Sequence, residues 1–353
     1  MIQDEEVWNS SIRIQGTEGL TEATTKIAFF HLLSAVAEQL SRRDKNSNLK
    51  CIRRRVRGVQ IMWGSGRCSK GGAGNALALE FVSKGFRVFA TARSLKTLGN
   101  LTEKGIETLT LDVTKPESIK SLKAEIATRT GGSLDILFNN AGVLHEAPAI
   151  EDDPTRVRSL FDTNVFGLME VVTAFTPLLL ASVSPNYAPT VINVASVLAR
   201  LHQPFSSAYN ATKAAVVAYS DTLRLEVQPL GLKVVTLYMG EVSTPLMATD
   251  NINFGPESIY RDAEDAIKQR TITHLDKTMS PEQFAREVVS EIIGGKKPFL
   301  WKGSNAFIVW LLNAFGPRTV FDNTMLKAAG LDVEKTRTSI YKRGQEFSQS
   351  KKT

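Results

Sequence analysis

Cysteine and histidine are scarce in this chain. Its 353 residues include two cysteines, Cys51 and Cys68, and four histidines. Two cysteines in separate segments offer no disulfide framework, which favours a reducing compartment and a cytoplasmic protein. The histidines show no metal-ligand spacing, so we expect no metal site.

Long apolar runs are also lacking. The two most apolar stretches, 27–37 and 306–315, would span about 15 Å as helices, roughly half of a bilayer core. Residues 306–315 are apolar on nearly every side, a pattern that demands burial. Four alternatives stay open for this stretch: a core helix, a lid over an apolar substrate, a dimer contact, or an interfacial helix on lipid. The last would place the protein peripherally on the endoplasmic reticulum or lipid droplets.

Positive charge is concentrated in one short segment. Residues 42–57 hold eight Lys or Arg and one Asp, so their formal charge of +7 equals that of the whole chain. No aromatic residues interleave with these arginines, which favours a basic linker over a nucleic-acid surface. We predict that residues 1–57 form a disordered or weakly helical extension without a nucleic-acid partner. A further hypothesis is that the working protein begins nearer Val59.

β-type runs alternate with helical patterns from about Val59 to Leu237, which is typical of an α/β fold with a doubly wound, mostly parallel sheet. The predicted strands are Val59–Trp63, Phe86–Thr91, Glu107–Leu111, Leu134–Phe138, Val191–Ala195 and Lys233–Leu237. A capped helix from Ser280 and a last strand at Phe299–Trp301 follow them. We predict one domain over residues 58–303, with 304–353 as an apolar helix and tail.

A glycine-rich loop, 66–74, joins the first predicted strand to the next helix. Glycines let the backbone approach a pyrophosphate closely, and the helix that follows offers free amides to the phosphate charge. The residues of this loop that we expect at the cofactor are Ser69, Gly72, Ala73 and Gly74. Arg93 stands at the end of the second strand, where an arginine can pair with the 2′-phosphate of NADP. The sequence therefore predicts NADP.

Tyr209 and Lys213 are four residues apart in a helical pattern, so both side chains lie on one helix face. A nearby ammonium lowers the pKa of a phenol, which would let Tyr209 pass a proton to a carbonyl oxygen near neutral pH. Ser196 ends a β-branched run, at the carboxyl end of a strand where open α/β sheets bind ligands. We expect its hydroxyl to hold the same oxygen.

In order and spacing, these motifs resemble the short-chain dehydrogenase/reductase family over roughly residues 58–244. The resemblance implies a Rossmann fold, a catalytic set completed by Asn164, which supports a water path to Lys213, and a homodimer paired through the helices of Asn164 and Tyr209. It implies that Tyr209 and Lys213 also contact the cofactor. The further cofactor contacts that it implies are Asp112, Val113, Asn140, Ala141, Gly142, Val242 and Thr244.

Two features bear on how the site is used. Arg67 falls where the family places its first loop glycine, so weaker cofactor binding is expected. The stretch 301–306, Trp-Lys-Gly-Ser-Asn-Ala, is similar to fungal reductases related to NADPH-dependent acyl-dihydroxyacetone-phosphate reductase, which implies a lipid-like or secondary-metabolite substrate.

The predicted function is hydride exchange between NADP and a ketone or secondary alcohol on a hydrophobic small molecule. One alternative is a dehydrogenase that works toward the ketone in a biosynthetic pathway. The other is a catalytically weak NADP-binding sensor or scaffold, which Arg67 suggests.

Overall fold

The structure is a computed structural model that describes residues 59–62, 71–244, 249, 252–295 and 297–350. The predicted extension 1–57 lies outside these residues. So does most of the glycine-rich loop, including Arg67 and the predicted cofactor contact Ser69.

Seven parallel strands form one sheet, as the alternating pattern predicts. They are β1 Val59–Met62, β2 Val88–Ala92, β3 Glu107–Thr110, β4 Ile136–Asn139, β5 Thr190–Val194, β6 Lys233–Met239 and β7 Phe299–Lys302. Their order across the sheet is β3-β2-β1-β4-β5-β6-β7, and every neighbouring pair is parallel. The chain leaves β1 on one side and returns on the other at β4, so the switch point where open sheets bind ligands lies between these two strands.

The helices connect these strands. Their bounds are α1 Ala73–Ser83, α2 Gly99–Thr102, α3 Pro116–Thr130, α4 Pro154–Phe161, α5 Gly167–Leu180, α6 Ser207–Val227, α7 Glu264–Lys277, α8 Pro281–Gly294, α9 Ala306–Phe315, α10 Asp322–Ala328 and α11 Glu334–Ser350. Local signals set several ends. Pro116 occupies the first turn of α3, and the Ser280 hydroxyl caps α8 by accepting from the Gln283 amide at 3.2 Å.

Alternate residues of the strands point to opposite faces, and each face has its own buried cluster. On β4, Phe138 packs with α1 and α8, whereas its neighbour Leu137 packs with α3, α5 and α6. Helices therefore cover both faces of the sheet, and the predicted doubly wound α/β class is confirmed.

Helices α4 and α5 form one continuous run, Pro154–Leu180, through a π-helical turn at Asp162–Phe166. By length and composition alone this run could cross a membrane, but more than half of its most apolar window is buried. Burial of this kind is what a core helix of a doubly wound fold shows. Turns of this kind occur often at functional sites.

Candidate active site

Ser196, Tyr209 and Lys213 meet at the carboxyl end of β5. Ser196 follows this strand directly, and its hydroxyl bonds to the phenol oxygen of Tyr209 near the start of α6. The Lys213 ammonium lies 5.8 Å from the centre of the Tyr209 ring and donates to the carbonyl oxygen of Val194 at 2.9 Å. The structure thus brings together the three groups that the sequence places in one site.

The proton affinities of this pair differ from the expectation. Burial raises the pKa of Tyr209 to about 12, although the hydrogen bond from Ser196 acts in the opposite direction. Burial also lowers the pKa of Lys213 to about 8. The expectation of a phenol pKa below its ordinary value is therefore wrong for this arrangement, because burial of Tyr209 outweighs the groups that favour its phenolate.

Asn164 lies in the π-helical turn and is fully buried. Its side-chain oxygen accepts from the Val143 amide at 2.8 Å, and its amide donates to the Val143 carbonyl at 3.0 Å and to the Thr212 hydroxyl at 3.1 Å. The side chain therefore ties the long helical run to the loop after β4 and to α6. The role of Asn164 in holding a water stays a prediction. Its side-chain amide already donates to Val143 and Thr212, so the side-chain amide would not be the group that holds the water.

The cofactor side of the site is built from backbone at the switch point. Gly72, Ala73 and Gly74 at the start of α1 line one cavity together with Asn140 and Gly142 after β4. The first turn of α1 carries no acidic side chain, so no carboxylate of this turn competes for its free amides and dipole. At Gly142 an added Cβ would lie 3.4 Å from the Asn164 side-chain oxygen and 3.5 Å from the Lys213 ammonium, which are ordinary van der Waals contacts, so Gly142 lies directly beside both catalytic side chains.

The remaining predicted contacts fall into two groups. Val242 and Thr244, after β6, line the same cavity. Arg93, Asp112 and the buried Val113 follow β2 and β3, whereas Ala141 is buried in the turn after β4. These four residues do not line the cavity, and their cofactor roles stay predictions.

Asp112 and Arg93 influence one another electrostatically. Burial raises the pKa of the Asp112 carboxyl, but hydrogen bonds from Thr114 and the charges of Arg93 and Lys115 outweigh burial and leave this pKa below its ordinary value. Arg93 itself is exposed. A cation and an acceptor thus stand side by side at the carboxyl ends of adjacent strands, and the described part of the site fits a nicotinamide dinucleotide.

One cavity of about 1330 Å³ contains this site and extends beyond it. The volume exceeds the roughly 300–1,000 Å³ of ordinary small-molecule pockets. Ile308, Val309 and Leu312 of α9 line its outer part, with Phe321 and Met325 at α10. Part of α9 thus roofs the cavity, as the lid alternative requires. Its outer side remains exposed at Phe307 and Phe315, so α9 is not simply a core helix.

Two glycines in close contact, Gly303 before α9 and Gly240 after β6, connect the start of α9 to the segment after β6. An added Cβ at Gly303, where φ is +105°, would lie 2.9 Å from the carbonyl carbon of Gly240, and one at Gly240 would lie 2.5 Å from the Ser304 carbonyl oxygen. Ser304 and Glu241 exchange backbone hydrogen bonds, and the Asn305 side chain donates to the Glu241 carboxylate at 2.7 Å. We call Gly240–Glu241 and Gly303–Asn305 the clasp. It gives a structural reason for the glycine and asparagine of the 301–306 stretch.

Sequence reasoning missed a buried polar cluster near the outer part of the cavity. Arg270 of α7 forms an ion pair with Glu146, which lies in the loop after β4. Gln203 and Ser206 donate to the same Glu146 oxygen at 3.3 and 3.1 Å. The partners lie up to 124 residues apart in the sequence, so no short-range pattern of residues predicts the cluster. The sequence offered one signal of this cluster, the spacing of Ala266, Gln269, Arg270 and Thr273, which places them on one face of α7.

A family model described as short chain dehydrogenase matches residues 68–253, more than half of the chain. The chain belongs to the short-chain dehydrogenase family. This short-chain dehydrogenase, an oxidoreductase by family, is 37% identical over 295 residues to short-chain dehydrogenase anuB of Penicillium roqueforti, which covers 83% of this chain and 99% of that protein.

Two further comparisons agree. An NADPH-dependent 1-acyldihydroxyacetone phosphate reductase of Schizosaccharomyces pombe is 38% identical over 64% of this chain and 76% of its own length. The solved structure of a short-chain dehydrogenase from Streptomyces avermitilis superposes with a TM-score of 0.61, at 25% identity over 78% of this short-chain dehydrogenase and 99% of that chain. The family predicted from the motifs is therefore confirmed.

Proposed function

We propose that this short-chain dehydrogenase reduces a ketone on a hydrophobic small molecule with NADPH. The observation that carries the proposal is the contact between the Ser196 and Tyr209 hydroxyls inside a cavity that also contains Lys213 and the start of α1. Proton donor, oxygen holder and phosphate-binding helix end thus share one cavity. A sensor or scaffold would have no use for the first two.

NADPH as the partner has two supports. Arg93 at the end of β2 supplies a cation where a ribose 2′-phosphate would lie. A relative that shares 38% of its residues with this chain over the matched region is named as NADPH-dependent. When bound, NADPH supplies the hydride for the carbonyl carbon.

The chain's own groups handle the oxygen and the proton. Ser196 orients and polarises the substrate carbonyl, and Tyr209 donates the proton that the oxygen requires. The high pKa of the Tyr209 phenol keeps its proton available across the neutral range. Lys213 provides a cation beside the phenol, and this cation stabilises the phenolate that proton donation leaves behind. In the reverse direction, Tyr209 would have to be a phenolate to accept the proton of a secondary alcohol, and the Lys213 cation favours that form.

We propose a hydrophobic substrate because the side chains of α9 and α10 that line the cavity are mostly apolar. Ile308, Val309, Leu312, Phe321 and Met325 offer apolar side chains against which a long acyl chain or fused rings would pack. The acyl-bearing substrate in the name of the fission-yeast relative agrees with this assignment.

The test is a panel of hydrophobic ketones and secondary alcohols, assayed by nicotinamide absorbance with NADPH, NADP⁺, NADH and NAD⁺. We expect turnover of long or polycyclic ketones with NADPH and little turnover of short ones. A Leu312→Arg variant, which places a charge in the roof, should raise KM for long ketones far more than for short ones. NADPH binding without turnover of any panel member would favour the sensor alternative.

A further inference from the structure

The cavity also has a polar part of its wall, formed mainly by α7. Ala266, Gln269, Arg270 and Thr273 of α7 all line it, and their spacing places them on one helix face. Gln203 adds a further polar side chain beside them. A purely hydrocarbon ligand would leave this wall without hydrogen-bond partners.

Arg270 is the informative residue of that wall. One of its terminal nitrogens, Nη2, donates to Glu146, and the pair is largely buried, with 16% of the Arg270 side chain and 5% of the Glu146 side chain exposed. The other terminal nitrogen, Nη1, is buried and has no acceptor among the residues that the structure describes. Buried donors are rarely left unsatisfied, because an unmade hydrogen bond costs stability. Arg270 also lines the cavity, so a bound ligand that reaches this side chain would supply the missing acceptor.

The charge of the acceptor follows from the partners of Arg270. The Glu146 carboxylate already neutralises the guanidinium, and the Glu146 oxygen that Arg270 binds also accepts from Gln203 and Ser206. A second anion would enter beside a buried carboxylate, and the Arg270–Glu146 pair has no net positive charge to offset the desolvation of that anion. A neutral acceptor, such as a second carbonyl or an ester oxygen, needs only the unused N–H.

We propose that Arg270 is a specificity residue that donates to a neutral acceptor oxygen of the substrate, distinct from the ketone that is reduced. This inference rests on the proposed function and narrows its substrate class to hydrophobic ketones bearing a second, uncharged oxygen. Glu146 and Gln203 are positioning residues that hold the guanidinium against the cavity. Ser206 immediately precedes α6, so the same cluster also braces the start of the helix that carries Tyr209.

The experiment measures binding as well as turnover, so it does not depend on catalysis. The ligands are a series of long-chain oxo methyl esters with stepwise increasing distance between ketone and ester, the plain ketones of equal length, and the matching oxo carboxylates. Dissociation constants are measured by calorimetry on the intact protein. We expect the best oxo ester to bind about tenfold or more tightly than its plain ketone, as hydrogen bonds to charged donors allow, and to bind more tightly than the carboxylate.

The test variant is Arg270→Met together with Glu146→Gln, which removes the pair without leaving a buried charge. We expect its ester-to-ketone ratio to fall to near one. Arg343→Met is the matched control, because Arg343 is also a part-buried arginine in an ion pair, with Asp262, but does not line the cavity. It should keep the wild-type ratio.

Equal binding of esters and plain ketones by the wild type, or the same ratio in the double variant, would overturn the inference while ketone reduction stands. Tighter binding of the oxo carboxylate than of the oxo ester would contradict the proposal that the acceptor oxygen is neutral. Ester preference without any turnover would instead count against the proposed reductase and leave the Arg270 site standing.

Discussion

Tyr209 contributes one oxygen atom to the site, and the proposed chemistry depends on it. Replacing Tyr209 by Phe keeps the ring and removes the proton donor. We predict that Tyr209→Phe lowers kcat by roughly 10²–10⁴, the usual contribution of general acid catalysis. The dissociation constant of NADPH, measured by fluorescence titration, should change little, because the α1 end and Arg93 are untouched. An unchanged kcat would remove Tyr209 from the role of acid.

Lys213 carries a charge in a place that is almost closed to water, 4% exposed. Burial lowers its pKa to about 8, below the ordinary lysine value of 10.5. Between these values the unfolded chain binds a proton that the folded protein does not, so the folded state gains stability as pH rises from about 8 to 10.5. Tyr209 acts in the opposite direction, but only above its ordinary pKa of 10.

A Lys213→Met variant separates function from stability. It should lose activity and yet be more stable than the wild type at pH 7, by on the order of 1–3 kcal/mol, because a buried charge has been removed. This advantage should shrink between pH 8 and pH 10. Urea unfolding at a series of pH values measures the difference, and a pH-independent difference would show that the folded-state pKa of Lys213 is not lowered.

At the scale of elements, the clasp joins the end of β7 and the start of α9 to the segment after β6. A Gly303→Ala substitution places a Cβ 2.9 Å from the backbone of Gly240 and forces an alanine to adopt a φ of +105°. We predict a loss of roughly 1–3 kcal/mol in the free energy of unfolding and a raised KM for long ketones as the roof shifts. Urea unfolding and steady-state kinetics check both effects.

Gly294→Ala in α8 is the matched control for that prediction. Its added Cβ meets no atom within 4 Å and its φ lies outside the positive region. It should be neutral, or stabilising by up to about 1 kcal/mol, because alanine favours helix over glycine. Equal losses in both variants would indicate that the clasp has no special role.

Elements were predictable from the sequence where a local pattern determines them. Each of the seven predicted strands exists, with ends shifted by one or two residues, because β-branched runs bounded by turn residues have few alternatives. The convergence of Ser196, Tyr209 and Lys213 was predictable for a similar reason. In a parallel sheet, strand carboxyl ends and the helices that follow them meet at one edge.

The features that the sequence did not predict share a physical cause. The raised pKa of Tyr209 depends on how much protein covers it, and spacing along a helix does not report burial. The contact between Glu146 and Arg270 joins segments 124 residues apart in sequence, and Asn164 in the π-helical turn bonds to Val143 and Thr212, which are also distant in sequence. Properties that arise only after the chain has folded cannot be deduced from neighbouring residues.

At the scale of the whole molecule, several expectations stay predictions: the boundaries at residues 57 and 303, the cytoplasmic or lipid-associated location, and the homodimer. Phe166 and Leu225 are more than half exposed on the two helical segments through which the resemblance implies pairing. Phe307 and Phe315 are exposed on the outer side of α9. These apolar side chains would suit a pairing surface and a lipid contact respectively.

The cofactor should stabilise the whole fold, because its proposed site draws on β1 to β6 and the helices between them. A ligand that binds only the folded state adds about 2.7 kcal/mol at a hundredfold excess over its dissociation constant. We predict that NADPH raises the melting temperature more than NADH at equal concentration. Added salt should narrow this difference, since Arg93 is exposed and its attraction to a phosphate is screened.

In Arg93→Asp, whose carboxylate repels a 2′-phosphate and can accept from a ribose hydroxyl, the order of the two cofactors should reverse. Equal shifts by both cofactors in the wild type, or an unchanged order in the variant, would mean that Arg93 does not read the phosphate and that the preference for NADPH has another source.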